Sequence, residues 1–274
     1  MRTLAHRYII RGGVEGRERL RVLGRAMSAT TTALLDRVGI APGMHCLDAG
    51  CGGGDVTREL ARRAAPGHVV GVDFDETKLA LAREEAEADE IENVHYRAGD
   101  IVDAELAPEH DAIYARFLLT HLTDPAAAVR RFAAGLRPGG VLIVEDIDFR
   151  GMFCHPPSMA YDRYVDLYTR TTWARGVDPN IGPRLPALLS AAGLTGVHVN
   201  VTQPAAIGVQ GIERDIKLVG PMTLEQIADA AIAEHLITRD ELDAVLDDLY
   251  RFAADPTTLM ALPRIVQSWG YSPE

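Results

Sequence analysis

The residues best suited to hold a small ligand stand together in Cys46-Leu47-Asp48-Ala49-Gly50-Cys51-Gly52-Gly53-Gly54-Asp55. An apolar run of strand character ends at Asp48, then Gly50, Gly52 and Gly54 alternate, and helix-forming residues follow from Asp55. Glycine allows a sharp turn and a close approach of backbone to ligand, because no Cβ intervenes. The amides at the following helix start then meet a polar group of the ligand. A dinucleotide fingerprint, G-x-G-x-x-G counted from Gly50, would place its third glycine where Asp55 stands. A carboxylate there repels a pyrophosphate. No Gly-Lys-Ser/Thr follows, so a phosphate-cradling loop is excluded as well. The expected ligand is a nucleoside without a di- or triphosphate.

Two further acids extend this pattern. Asp73 lies 23 positions after Gly50, at the end of Val70-Gly71-Val72-Asp73-Phe74, where a carboxylate reaches a ribose diol. Phe74 is suited to packing on a purine face, and Ala98-Gly99-Asp100-Ile101 offers an acceptor for an adenine amino group. Glu145, Asp146 and Asp148 close a later strand, where they either hold a substrate amine or meet solvent and helix ends. The nine histidines show no metal-ligand spacing, so no metal is expected.

The elements that position these groups alternate. Strand-length apolar runs occupy 44–48, 69–73, 94–98, 111–115 and 141–146, separated by helical stretches at 55–65, 76–88 and 125–136. Strands separated by helices imply right-handed βαβ units and a mostly parallel sheet. Asp124 caps the helix that Pro125 starts, and Arg137-Pro138-Gly139-Gly140 suits a type II turn. A helix at 184–192 and a strand at 197–203 follow, and 264–270 reads as the last strand. Residues 239–253 carry Leu242, Val245, Leu246, Leu249 and Tyr250 on one helical face, which suits core packing or a symmetric homodimer.

Composition bounds the partners. With 28 Lys+Arg against 39 Asp+Glu, the net charge of −11 disfavours nucleic acid, whose phosphates need cations. No apolar run approaches the roughly 18–20 residues of a membrane span. Cys46, Cys51 and Cys154 read as reduced thiols, consistent with a cytoplasmic protein. Seven arginines crowd the first 26 residues, but Gly12, Gly13 and Gly16 interrupt a presequence helix, so an ordered N-terminal element is expected instead of a targeting segment.

Taken together, Leu47-Asp48-Ala49-Gly50-Cys51-Gly52-Gly53-Gly54, Val72-Asp73, Gly99-Asp100-Ile101 and Leu136-Arg137-Pro138-Gly139-Gly140 resemble the class I S-adenosylmethionine-dependent methyltransferases. The likeness is to the small-molecule branch that includes the ubiquinone/menaquinone-biosynthesis type, and it covers about 45–203. It implies an α/β fold: a Rossmann-like, mostly parallel seven-stranded sheet with helices on both faces and a helical cap over the pocket. Residues 1–274 would form one domain, with 1–25 as a lid segment and 26–203 as the core. Residues 150–180 and 205–258 would be cap insertions, and 259–274 the final strand.

For S-adenosylmethionine the resemblance implies Gly50, Cys51 and Gly52 along the methionine and ribose, and Asp73 on the ribose hydroxyls. It places Phe74 and Lys78 beside the adenine, Gly99, Asp100 and Ile101 at its edge, and Arg116 and Phe117 at the methionine end. His121 and Tyr8 are the catalytic candidates; the aromatic residues Phe149, Phe153, Tyr161, Tyr164 and Trp173 of the expected cap suit an organic acceptor of moderate size, with Asp148, Phe153 and Trp173 the candidates for its pocket. No Asn/Asp-Pro-Pro-Tyr/Phe motif of nucleic-acid amine methylators is present, and Arg116 stands where a metal-dependent catechol enzyme would want an acid. Two other functions fit less of the pattern: a non-catalytic S-adenosylmethionine-binding protein, and a nicotinamide-dependent oxidoreductase, which Asp55 disfavours.

Overall fold

The computed structural model describes residues 13–102 and 104–274. Helix α1 (Gly13–Val38) leads into β1 (Cys46–Ala49), α2 (Asp55–Ala64), β2 (Val69–Asp73), α3 (Glu76–Ala88), β3 (Val94–Ala98) and β4 (His110–Arg116). Then come α4 (Pro125–Ala134), β5 (Leu136–Asp148), β6 (Cys154–His155), α5 (Met159–Ala174), α6 (Leu185–Ala191) and β7 (Thr195–Thr202). The chain ends with β8 (Ala205–Ala206), α7 (Gly211–Ala233), α8 (Arg239–Ala254), β9 (Leu259–Ala261) and β10 (Arg264–Tyr271). Seven strands form one sheet in the order β3-β2-β1-β4-β5-β10-β7. The first five run parallel, and β10 lies antiparallel between β5 and β7.

The strand order reverses between β1, which pairs with β2, and β4, where the chain crosses to the other side. Such a reversal opens a crevice beyond the strand carboxyl ends. Both faces of the sheet are covered. Leu34, Leu60 and Ala61 pack with Tyr114, Ile143 and Trp269 on one side. Ile113, Val129, Phe132, Leu185 and Leu189 fill the other. Caps agree with the local sequence: Asp75 accepts from the Thr77 and Lys78 amides, Asp124 from Ala127, and Thr238 and Glu241 close a capping box.

A third apolar cluster joins the first half of α1 to α5, α7 and α8, through residues such as Met27, Tyr164, Leu224 and Leu249. It forms the helical layer over the crevice. Leu242 and Leu249 are buried here and Val245 and Leu246 lie against it, so this face of α8 serves core packing. Two expectations change. Gly13 and Gly16 do not break the N-terminal helix: α1 passes through Gly16 and across residues 25 and 26, held by packing on α7. Helix α4 stops at Ala134, because Gly135 terminates it and Leu136 already pairs in β5. Within β5, Gly139 takes a φ of +75°, as the second central residue of a type II turn requires.

Lys217 locks α7 to the end of α8. Its buried ammonium donates to the carbonyls of Ile207 (3.2 Å), Asp255 (2.7 Å) and Thr258 (3.0 Å) and to the Thr258 hydroxyl (3.0 Å). Desolvation lowers its pKa, while Asp255 and Glu213 oppose that shift. Lys217→Met leaves these acceptors without their donor, and chemical denaturation should show a loss of about 2–4 kcal/mol. A stability within about 0.5 kcal/mol of wild type would mean that water replaces the ammonium.

Candidate active site

The loop between β1 and α2 lies at the bottom of the crevice, and its shape follows from its glycines. Gly50, Gly52 and Gly54 hold φ of +75°, +52° and +74°, a region that side-chain-bearing residues rarely occupy. At Gly54 there is no room for a side chain either, because a Cβ would meet the Tyr96 hydroxyl. The Gly50 and Cys51 amides donate to the Val72 carbonyl at 2.8 and 3.0 Å, tying the loop to β2.

Asp73, at the tip of β2, is buried and takes two amide hydrogens, from Gly52 (3.0 Å) and Asp75 (2.9 Å). Asp48, beneath the loop, accepts from the Thr57 hydroxyl at 2.6 Å. Burial pushes its pKa up to about 7, with that hydrogen bond opposing the rise.

Arg116 ends β4 and reaches Asp55 through Nη2 at 2.6 Å and Thr31 through Nη1 at 3.3 Å. Thr31 donates to Glu145 at 3.1 Å, and Glu145 also accepts from Tyr114 and, at 2.6 Å, from Gln267. Asp55 is therefore not a bare charge, and the repulsion of a pyrophosphate expected of it is reduced. Phe117 follows at a φ of +54°, its amide bonded to the Glu145 carbonyl at 2.8 Å. Aromatic residues rarely adopt that conformation, and strain of this kind tends to collect at functional sites.

His121 closes the short 3₁₀ turn Leu119–His121 and is buried in the cavity wall. Asp146 holds the turn by accepting from the Thr120 amide at 3.0 Å, and the Thr120 hydroxyl donates to the Asp178 carbonyl at 3.0 Å. Burial, with Arg19 and Lys78 nearby, pushes the His121 pKa down to about 3, so the ring is neutral at physiological pH. Lys78 pairs with Asp75 at 3.8 Å and lies 5.8 Å from the Phe74 ring centroid.

One cavity lies between the strand ends and the helical layer. Gly50, Cys51, Gly52, Asp73, Phe74 and Lys78 are in its wall, as are Gly99, Asp100, Ile101, Arg116, Phe117 and His121. Tyr8 lies outside the described residues. The three acceptor-pocket candidates are not brought there. Asp148 is buried but turned to Arg150 (2.9 Å) and Arg264 (2.7 Å), which neutralise it. Phe153 and Trp173 are 45% and 58% exposed, Trp173 because it sits on the outward face of α5.

Of the other cap aromatics expected from sequence, Phe149 and Tyr164 do line the cavity, and Tyr168 joins them. Phe149 stacks on Tyr168 at 4.0 Å and meets Tyr164 edge-on at 5.9 Å. Arg19 and Thr223 complete the upper wall and were not singled out from sequence. Nothing distinguishes Arg19 from its six neighbouring arginines until α1 is placed against α7. Among the described residues, no group of three or more His, Cys, Asp or Glu is arranged to hold a metal ion. No helix there is long and apolar enough to cross a membrane.

A doubly wound α/β sheet places its ligand crevice at this switch point, where the glycine loop and the β2 acid stand. Comparison with known proteins narrows this. Residues 40–172 match the methyltransferase-domain family Methyltransf_31. The ubiquinone biosynthesis O-methyltransferase of Acinetobacter baumannii (strain ACICU) is 32% identical over 115 residues, 41% of this chain and 48% of that protein. The chain thus spans about half the length of the curated relatives it matches.

Phosphoethanolamine N-methyltransferase 2 of Haemonchus contortus, solved with phosphomonomethylethanolamine and S-adenosylhomocysteine, superposes with a TM-score of 0.57 at 20% identity. The match covers 90% of this chain and 53% of that one. Geranyl diphosphate C-methyltransferase of Streptomyces coelicolor gives 0.52 at 15%, covering 89% and 78%. These two share the fold. Over residues 40–172 the chain is similar to a methyltransferase domain.

The depressed pKa of His121 makes a prediction about stability. Between pH 6.5 and about 3 the unfolded chain binds a proton at this residue that the folded chain refuses. Stability from this group is complete above pH 6.5 and falls as the pH drops, by up to about 1.4 kcal/mol per pH unit. Asp48 and Asp146, each raised to about 7, tilt the other way, losing stability as pH rises from about 4 to 7. The difference between wild type and His121→Asn, measured by urea denaturation from pH 7.5 to 5, isolates the histidine. Parallel curves would contradict its neutral state.

Proposed function

We propose that this chain transfers a methyl group from S-adenosylmethionine to a small organic acceptor by in-line displacement. The observation that carries this reading is the Asp73–Gly52 pairing at the switch point, within a cavity roofed by aromatic and apolar residues. The residues fit the cofactor. Asp73 presents a carboxylate to the ribose hydroxyls, and Gly50, Cys51 and Gly52 leave room for the methionine portion. Phe74 and Lys78 flank the adenine, Gly99, Asp100 and Ile101 meet its edge, and Arg116 and Phe117 border the methionine end.

When bound, the cofactor supplies a methyl group on an already activated sulfonium. The protein's work is then to align the acceptor and exclude water, and positioning of this kind can remove about 7–11 kcal/mol from a barrier. Phe149, Tyr164 and Tyr168 keep water out. His121, neutral and inside the cavity, is the group that accepts a proton where the acceptor atom must lose one. The acidic net charge supports a small-molecule acceptor over nucleic acid, and the three buried or half-buried free thiols support a cytoplasmic setting.

Thermal unfolding in parallel with S-adenosylmethionine, S-adenosylhomocysteine and NADH tests the cofactor. Each sulfur nucleoside at about 100 times its dissociation constant should add roughly 2.7 kcal/mol of stability. A response to NADH alone would point to an oxidoreductase. Asp73→Ala should weaken S-adenosylhomocysteine binding by about 1–3 kcal/mol in calorimetry, and unchanged affinity would misplace the ribose. His121→Ala should slow formation of S-adenosylhomocysteine while leaving its affinity intact. Cofactor binding without turnover on any acceptor would favour a non-catalytic binding protein.

A further inference from the structure

Arg19 is a buried cation of the cavity wall to which the cofactor pattern read from the sequence assigns no role. It is 7% exposed on α1, and its Nε donates to the Thr223 hydroxyl at 3.1 Å. Thr223 in turn donates to the Val219 carbonyl at 2.6 Å, one turn back on α7, so its hydroxyl is fixed in place to receive the guanidinium. No carboxylate among the described residues lies within ion-pair distance of Arg19, and its Nη groups hydrogen bond to no described residue.

The other cations of the cavity are compensated: Arg116 by Asp55 at 2.6 Å, and Lys78 by Asp75 at 3.8 Å. The acids in the wall are also engaged. Asp48 is held by Thr57, Asp73 by two amides, and Asp100 by the Val102 amide at 3.1 Å. A guanidinium held in a low-dielectric chamber without a counter-charge is stabilised by an incoming anion. Its planar fork suits a carboxylate, which it binds through two parallel hydrogen bonds.

The surroundings say what the rest of that anion looks like. Tyr164 lies close enough to Arg19 to feel its charge, and Leu23, Phe149, Tyr168 and Val219 line the same cavity. His121 and Arg19 line the same cavity, close enough for the cation to depress the histidine's basicity. We propose that Arg19 is the specificity-determining residue for the acceptor: it binds a carboxylate on an apolar or aromatic molecule and so presents the far end of that molecule beside His121. This rests on the methyl-transfer reading and adds the acceptor's charge to it. Neutralising Arg19 in this way also removes one of the two cations that hold His121 below its ordinary basicity.

The test uses S-adenosylhomocysteine-loaded protein and matched probes, 3-phenylpropionate against 3-phenylpropanamide, extended to benzoate, hexanoate and dodecanoate with their amides. Calorimetry should show at least one acid binding ten-fold or more tightly than its amide. Arg19→Gln should remove that preference while leaving the S-adenosylhomocysteine dissociation constant within about two-fold. Arg19→Lys, which keeps the charge, should retain the preference at lower affinity and also serves if the glutamine variant folds poorly.

Equal binding of acids and amides, or no binding of any acid, would overturn the proposal. So would a ten-fold loss of S-adenosylhomocysteine affinity in Arg19→Gln, which would assign the guanidinium to the cofactor's own carboxylate. Failure of wild type to bind S-adenosylhomocysteine would instead fault the underlying reading, and is seen before any acid is added.

Discussion

The carboxylate of Asp73 carries more of this site's geometry than any other group. One oxygen takes the Gly52 amide of the loop after β1, and the other takes the Asp75 amide at the start of α3. One side chain thereby fixes two βα turns on neighbouring strands relative to each other. Each turn is short and rich in positive-φ or capping residues. The loop is thus organised before any ligand arrives, which lowers the ordering cost of binding.

Around that anchor the cavity keeps its charges in compensated sets. Arg116 links Asp55, Thr31 and, through Thr31, the Glu145 cluster of Tyr114 and Gln267. The set spans α1, α2, β4, β5 and β10, so the buried polar groups also register the helices on the sheet. Buried charges are costly unless paired, and here the pairs sit where the chain must hold Phe117 in an unfavourable conformation. The strain at Phe117 is sustained by its own amide bond to Glu145 and by the network immediately beneath it.

What could be read from the sequence was what a short stretch of chain determines by itself. The glycine loop, Asp73, Asp100 and the Asp124–Pro125 helix start each depend on neighbours a few residues away, and the structure places them as their spacing implies. β2, β3 and α3 occupy the residues expected from their apolar patterns. The acceptor side was not legible in the same way. Phe153 and Trp173 have the composition of a pocket wall but project outward, whereas Tyr168, in the same helix as Trp173, faces inward. Periodicity gives a helix two faces and does not say which one meets the cavity. Arg19 needed a contact across 204 positions to become visible.

That division has a consequence for function. Residues 40–172, where the family match lies, contain the glycine loop, Asp73, Asp100 and His121. Arg19, Val219 and Thr223 lie outside it, on α1 and α7. On the proposed reading, a sulfonium methyl needs only alignment with the nucleophile that the roof admits. The identity of the acceptor is then written in α1, α5 and α7, which the match reaches only in part. A guanidinium without a counter-charge among the described residues, in a cavity that aromatic rings also line, is the strongest chemical statement that roof makes.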